Sequence, residues 1–389
     1  IVTNEGLTTS KTQFDVVTYT GNGGATQKIG GPVFSSSADS GLSHADGVTG
    51  MFDGSLSTRG GVSSTDNAYK TLTDGVSISA STGIRIYWNG VGAGQRYIRI
   101  NGTTELDDGS AQLTPGWSTQ SSFSGTINKI EVKTASSGSW SLAAVEVDGT
   151  ILIDGTGPGL KFQPDFIWLK NRSSAYSHLL YDSIRGVGVD KALASNTNGV
   201  ASSLSAGSTF GYINALNSDG FTVTKGSDAT SYTNGNNQNY VAWCWKAGGT
   251  AVSNTDGSIT SSVSANAQYG FSVVTYTGTG SAATVGHGLN GKVPELIIVK
   301  NRDKTYNWAV WSSQLSSNAH YLFLNNTDSQ SNSYYTFWNN TAPTGSVFSV
   351  GANSPDTAGN VNESGDDMVA YCFANVPGYQ RIGSYTGNG

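Results

Sequence analysis

Residues 14–23 read FDVVTYTGNG, and residues 271–280 read FSVVTYTGTG. Both stretches alternate β-branched and aromatic residues and close on paired glycines, the pattern of a strand that runs into a tight turn. Two further pairs follow in the same order. PDFIWLKNR at 164–172 returns as PELIIVKNR at 294–302, and VAWCW at 241–245 returns as VAYCF at 369–373. FIWLK and LIIVK are continuous apolar runs, which a strand needs when both of its faces are covered. Breaker-rich stretches such as 250–262 and 351–366 separate these strands. The repeat therefore predicts an all-β fold of two duplicated β-sandwich modules.

The spacings locate an interruption. Phe14 and Phe271 lie 257 positions apart, but Pro164 and Pro294 lie 130 apart and Cys244 and Cys372 lie 128 apart. The first copy is thus about 127 residues longer between its YTGNG and PDFIW motifs. In the second copy a short connector containing GHGL (286–289) joins the same two motifs. The expected organisation is a discontinuous first module, 1–30 plus 158–250, holding an inserted domain at 31–157. A second module follows at 251–378. Residues 379–389 repeat the YTGNG motif and read as the start of a third module or an exchanged strand. A glycine-rich exposed turn is where insertions are tolerated.

Composition narrows the class. Charged residues make up 12% of the 389, while Gly alone contributes 51, and the formal charge is −6. So few charges argue against a helical enzyme rich in Glu and Lys. An aromatic fraction of 10% argues against disorder. An acidic balance without a basic stripe speaks against nucleic acid, and no apolar run reaches membrane-spanning length, so no membrane insertion is expected. The first residues, Ile1-Val2-Thr3, lack a charged leader and read as processed or cut from a longer product. Cys244 and Cys372 occupy equivalent strand positions, so two buried free thiols are expected.

Within the insert, MFDGSLSTR (Met51–Arg59) resembles the FDGxxST loop of discoidin-like domains, which are jelly-roll β-sandwiches of galactose-binding-like fold. That resemblance implies a structural Ca2+ held by loop carbonyls and by oxygens of Asp53, Ser57 and Glu146. The family usually places Trp after Ser-Thr-Arg, whereas Gly60 stands here. The competing reading of Asp53 is an Asp-Gly turn whose side chain caps its own loop. Such domains bind glycans by stacking a sugar on an exposed aromatic, and Trp117, Trp88, Tyr97 and Trp140 are the candidates. Their competing reading is core packing. Trp117, in the turn-like TPGWS (114–118), is the first choice for exposure.

The string VAYCFANVPGYQRIGSYTGNG, with PELIIVKNR and GHGL upstream, resembles repeat modules of virion proteins of marine bacteriophages, mostly tail-fibre-like structural proteins. The resemblance covers both repeats, and WSLAAVEVDGTILID of the insert (140–154) is similar to the same proteins. It implies a virion or extracellular setting, copies of the chain and other virion proteins as partners, and no catalytic residues. His44, His178, His287 and His320 stand apart without metal-ligand spacing. The Asp107-Asp108 and Asp366-Asp367 doublets point to opposite faces of any strand. The expectation is a non-enzymatic virion protein, tail-fibre-like or particle-decorating, whose insert contacts host-surface carbohydrate. Its rivals are a cellular adhesin or surface-layer protein and a capsule depolymerase. The duplicated KNR motifs (170–172 and 300–302) read either as solvated strand ends or as cations for an acidic glycan.

Overall fold

The computed structural model describes residues 13–388 except 40–41, 43–45, 63–67, 92–94, 110–114, 135–139, 156–159, 201–206, 229–230, 333–336 and 353–358. The chain is all-β, the helices among the described residues being single turns. It divides into two compact units, one of residues 1–30 with 159–389 and one of residues 31–158.

The larger unit contains two large antiparallel sheets. Among the described residues the first runs Phe14–Thr20, Asn239–Trp245, Phe166–Asn171, Leu179–Asp182, Leu193–Ala194. The second places Phe271–Thr277, Asp367–Ala374, Pro294–Asn301, Ala309–Ser312 and Leu322–Phe323 in the corresponding order, with Ser261–Asn266 and Val252–Asn254 added beyond Phe271–Thr277. The registers match across the copies. Cys244 stands between Asp15 and Ile167, and Cys372 between Ser272 and Ile297. Both thiols are free and buried.

Alternate residues of each central strand enter different cores, as a period of two requires. Ile167 and Leu169 pack toward a small sheet of Thr26–Gly30, Tyr212–Asn217 and Gly220–Thr224. Phe166 and Trp168 pack toward the second large sheet. In that sheet Ile297 and Val299 face the pair Ala283–Gly286 and Val347–Val350, while Leu296 and Ile298 face back toward the first. Over most of their length both faces of each large sheet are covered, which is why FIWLK and LIIVK carry no alternation. The YTG glycine is fixed by the same geometry in both copies. A Cβ on Gly21 would run into the Gly235 carbonyl oxygen, and one on Gly278 into that of Glu363.

Between the large sheets Phe166 lies 4.3 Å from Tyr371 and 5.8 Å from Phe271 by ring centroids, and Trp245 lies 5.9 Å from Phe373. A polar network crosses the same interface. Arg185 Nε meets Asp182 Oδ2 at 2.5 Å, Tyr371 Oη donates to that oxygen at 2.8 Å, and Arg185 Nη1 donates to the Lys191 carbonyl at 2.6 Å. Trp308 Nε1 donates to the Ala194 carbonyl at 2.9 Å.

The smaller unit packs two sheets around one core. One consists of Lys70–Ala80, Gly125–Thr134, Arg96–Ile100 and Thr104–Asp107. The other consists of Thr150–Ile151, Trp140–Val147, Ile84–Val91 and Gly116–Trp117, with Gly60–Val62 also pairing to Trp140–Val147. Phe52, Leu72, Ile86, Trp88, Ile98 and Ile130 fill the space between them.

Asp182 and Arg185 are both almost wholly buried, so removing one partner strands a charge in the interior. Asp182→Ala or Arg185→Met is expected to cost about 3–5 kcal/mol in denaturant unfolding of the larger unit. The double substitution Asp182→Leu with Arg185→Met is expected to lie closer to wild type than either single one.

Candidate functional site

The strand Ile84–Val91 sorts the aromatic candidates. Ile84, Ile86 and Trp88 point into the core, and Arg85, Tyr87 and Asn89 point outward. Trp88 is fully buried and its Nε1 donates to Asp108 Oδ2 at 2.5 Å. Trp140 is buried beside it, edge-on at 5.8 Å. The structure therefore places Trp88 and Trp140 where no sugar can stack. Tyr97 and Trp117 stay half-buried, on opposite sheets.

Trp117 pairs across the strands with Tyr87, whose ring meets it edge-on at 5.4 Å. The Arg85 guanidinium lies over the indole, its Cζ 4.7 Å from the ring centroid. Arg85 is itself held by Glu146, Nε to Oε1 at 2.5 Å and Nη2 to Oε2 at 2.8 Å. A two-point carboxylate grip fixes the guanidinium plane, so Trp117, Tyr87, Arg85 and Glu146 form one ordered outward patch.

That grip bears on the calcium reading. Both Glu146 oxygens face Arg85. Asp53 accepts the Ser55 N–H at 2.8 Å and the Thr58 hydroxyl at 2.5 Å, and the Ser55 and Ser57 hydroxyls meet at 2.8 Å. Asp53 and Ser57 thus share one self-bonded loop, while Glu146 is spent elsewhere. As arranged, the three do not present a set of free oxygens to an ion, and among the described residues no group of three or more His, Cys, Asp or Glu is disposed to hold one.

The outward face of the four-stranded sheet is a ladder of charges and rings. Arg99 is gripped by Glu131 through two bonds of 2.7 Å and covers Tyr69 at 3.8 Å, while Lys133 lies 4.4 Å from Tyr69 and 4.7 Å from Tyr97. Tyr69 bonds to Glu105, and Lys133 reaches the same carboxylate at 3.2 Å. Tyr97 is thereby capped by the Lys133 ammonium. Of the four aromatics, Trp117 is the one that remains in a compact outward patch.

The carboxylate doublets and the described histidines are each engaged in separate local bonds. Asp107 accepts Gln95 and the Gly109 N–H, while Asp108 turns inward to Trp88. Asp366 accepts Asn301 at 2.8 Å, while Asp367 faces Arg302 at 3.5 Å. His287 is buried in its turn, its Nδ1 accepting the Leu289 N–H and its Nε2 bonded to the Thr344 carbonyl. His178 accepts Trp168 Nε1, and His320 bonds to Ser317. His44 lies outside the described residues.

The KNR motif is explained by the loop that follows it. Asn171 Oδ1 accepts the N–H groups of Ser173 and Ser174, and Asn301 Oδ1 accepts those of Asp303 and Lys304. Lys170 Nζ binds the carbonyls of Ser174 and Tyr176, and Lys300 Nζ those of Asn301 and Lys304. Both lysines act as loop clamps, and burial draws Lys300 down to about 8.

One residue was not singled out from the sequence. Of the nine tryptophans, Trp88, Trp140, Trp308, Trp311 and Trp338 are buried, and Trp168 and Trp245 pack on the core between the large sheets. Trp117 and Trp243 alone stand half-buried outside every core. The signal was the strand parity of VAWCW, in which Trp243 faces away from Cys244.

Asp108 supplies a pH test of the smaller unit. Burial pushes its carboxyl up to about 6, against the opposing bonds from Ser118 and Trp88 and the charge of Arg96. The folded state therefore keeps this proton at a pH where the unfolded chain, near 4, has released it. Stability from this group is present at low pH and is lost as pH rises through 6. Glu105 is held below its usual range by its bond from Tyr69 and Glu131 by its bond from Arg99, so both act mainly below pH 5. Acidification from pH 7 to 5 is expected to stabilise the unit by about 1 kcal/mol, read from the Trp88 indole signal in urea titrations. Asp108→Asn is expected to remove most of that gain, the remainder coming from Asp154, whose carboxyl burial also raises.

Residues 144–389, more than half of the chain, match the family model described as "Domain of unknown function (DUF7483)". No curated protein and no solved structure matches the chain.

Proposed function

We propose that the chain, which belongs to the DUF7483 family, is a non-enzymatic virion structural protein of a bacteriophage, tail-fibre-like or particle-decorating, on the resemblance of its repeat motifs to such proteins. In this reading the unit of residues 31–158 contacts host-surface carbohydrate, and the doubled sheets of the larger unit serve as scaffold. The observation that carries the binding role is the patch around Trp117. It combines a half-buried indole outside the core, a tyrosine edge and a guanidinium fixed by a buried carboxylate. Such a patch offers a sugar one apolar face and oriented donors with little ordering cost, because its side chains are already held.

A glycan array followed by titration of the best ligand tests it. Wild-type protein is expected to bind, and Trp117→Ala to weaken binding at least about tenfold, roughly 1.4 kcal/mol, with its fold unchanged by circular dichroism. Equal binding by the two proteins would remove the patch from the account. Binding of no glycan would leave decoration or scaffolding without recognition.

Self-assembly is the second part of the proposal. Tyr19 and Tyr276, the aromatics of the first two YTG motifs, are buried and donate to the carbonyls of Thr233 and Val361. Tyr385, in the third motif, is 95% exposed, and residues 381–388 form no strand. A side chain that is core in two copies and open in the third fits an inter-chain contact. Sedimentation velocity is expected to find oligomers in wild-type protein and smaller species for Tyr385→Ser; unchanged sedimentation would place the contacts elsewhere.

A further inference from the structure

We propose that the uncovered end of the first large sheet is a groove for an acidic saccharide, formed by Trp243 and Val241 with Thr18, Lys170, Arg172 and Ser174. It lies in the larger unit and is independent of the Trp117 patch.

The register defines the floor. Three rows of side chains cross the sheet on the face turned toward the second large sheet: Phe14–Trp245–Phe166, Val16–Trp243–Trp168 and Thr18–Val241–Lys170. The first row reaches the core between the sheets, where Phe166 is 1% exposed and Trp245 packs against Phe373. The other two run out from under it. Val16 is 43% exposed, and Trp243 and Val241 are half-buried. The result is an open depression of about 750 Å³ floored by Trp243 and Val241 and rimmed by the loop 171–175. The Trp243 indole N–H has no partner among the described residues, which leaves a donor at the edge of a flat apolar surface.

The second copy shows what this region looks like when closed. Tyr371, the counterpart of Trp243, is buried and spends its hydroxyl on Asp182. Trp308, the counterpart of His178, spends its N–H on the Ala194 and Thr197 carbonyls. In the first copy both anchors are replaced, so the groove does not carry the fittings that hold a protein lid over its twin.

The charges diverge in one direction. Around the second copy's loop, Asp303, Asp366 and Asp367 accompany Lys300, Arg302 and Lys304, with Arg302 3.5 Å from Asp367 and Lys304 3.3 Å from Asp366. The counterparts of the three acids are Ser173, Gln238 and Asn239. They keep the same hydrogen-bonding roles: Ser173 accepts the Asn239 backbone N–H where Asp303 accepts that of Asp367, and Gln238 accepts the Asn171 side-chain amide where Asp366 accepts that of Asn301. The loop is thus built identically with every carboxylate removed. Lys170 and Arg172 remain, and among the described residues no carboxylate lies within ion-pair distance of either. Burial lowers Lys170, and its charge further lowers His178, so an arriving anion relieves an existing electrostatic cost.

An indole floor, hydroxyls from Thr18, Ser173 and Ser174, and two cations without counter-ions suit a sugar ring bearing a carboxylate or sulfate. The two basic groups are too few for a nucleic-acid backbone on a chain of net charge −6.

Titration of the full chain with tetragalacturonate and with a heparin tetrasaccharide tests the groove, read by tryptophan fluorescence and calorimetry. At least one is expected to bind with affinity that falls as salt rises, and the carboxyl-reduced tetragalacturonate to bind at least tenfold more weakly than its parent. Trp243→Ala and Arg172→Ala are expected to lose at least tenfold. Asn239→Asp, which restores the second copy's partner for Arg172, is expected to weaken binding without disturbing the fold, and Trp117→Ala to leave it unchanged. Four results would overturn the proposal: no binding of either probe to about 10 mM, equal binding of the reduced probe, indifference to Asn239→Asp, or self-association lost in Trp243→Ala, which would make the groove a contact between copies. Loss on Trp117→Ala alone would support the other site and count against this one.

Discussion

The contact between Phe166 and Tyr371, ring to ring at 4.3 Å, sits at the centre of the packing on which the larger unit depends. Five rings (Phe166, Trp245, Phe271, Tyr371 and Phe373) meet there, each removing about 150–250 Å² from water. At about 25 cal/mol per Å² that is roughly 4–6 kcal/mol of transfer free energy per ring as an upper bound. The Asp182–Arg185 pair beside them contributes far less, because withdrawing two charges from water consumes most of their attraction. The rings hold the sheets together. The ion pair, with Tyr371 bonded into it, restricts how they can sit.

Everything else in that unit follows from covering two large sheets on both sides. Their outer faces carry Cys244 and Cys372 with their apolar neighbours, and these need the two small sheets as lids. Those lids come from the segments between repeat motifs, which is why the motifs recur strictly while the connectors vary. The chain leaves the larger unit after Gly30, the last residue of a lid strand, rather than within a central strand.

How much of this was legible depended on whether a pattern was local. FIWLK and LIIVK announced two-sided burial because two apolar faces leave no room for alternation. The offset arithmetic placed an interruption at 31–157, where the structure has a compact unit of residues 31–158. The aromatic candidates were harder. Trp88 shares the parity of Ile84 and Ile86, so the sequence held the clue to its burial, but only once the strand was known to be one-sided. Glu146 shows the opposite limit: its place on the final strand was readable, yet its capture by Arg85 depends on cross-strand register. Trp243 and Tyr371 occupy matching positions in matching strands. Their different fates are set by where one sheet ends over the other, which no single strand records.

The divergence of the two copies separates framework from surface. Asn171 and Asn301 hold their loops with the same bonds, Lys170 and Lys300 each bind the carbonyl four residues on, and the glycines of the YTG turns meet the same kind of backbone carbonyl. These positions cannot vary without refolding the turn. Around them the residues that accept backbone N–H groups differ in charge but not in bonding, since Ser173 and Asp303 perform the same structural task. A hydroxyl and a carboxylate are therefore interchangeable for folding and opposite for electrostatics. The two large sheets share one register, and the KNR loop of one is neutralised by its own acids while that of the other keeps its cations unpaired among the described residues. The difference between them lies in side-chain chemistry that the fold does not require, and that is where a binding function can be added without disturbing the packing beneath it.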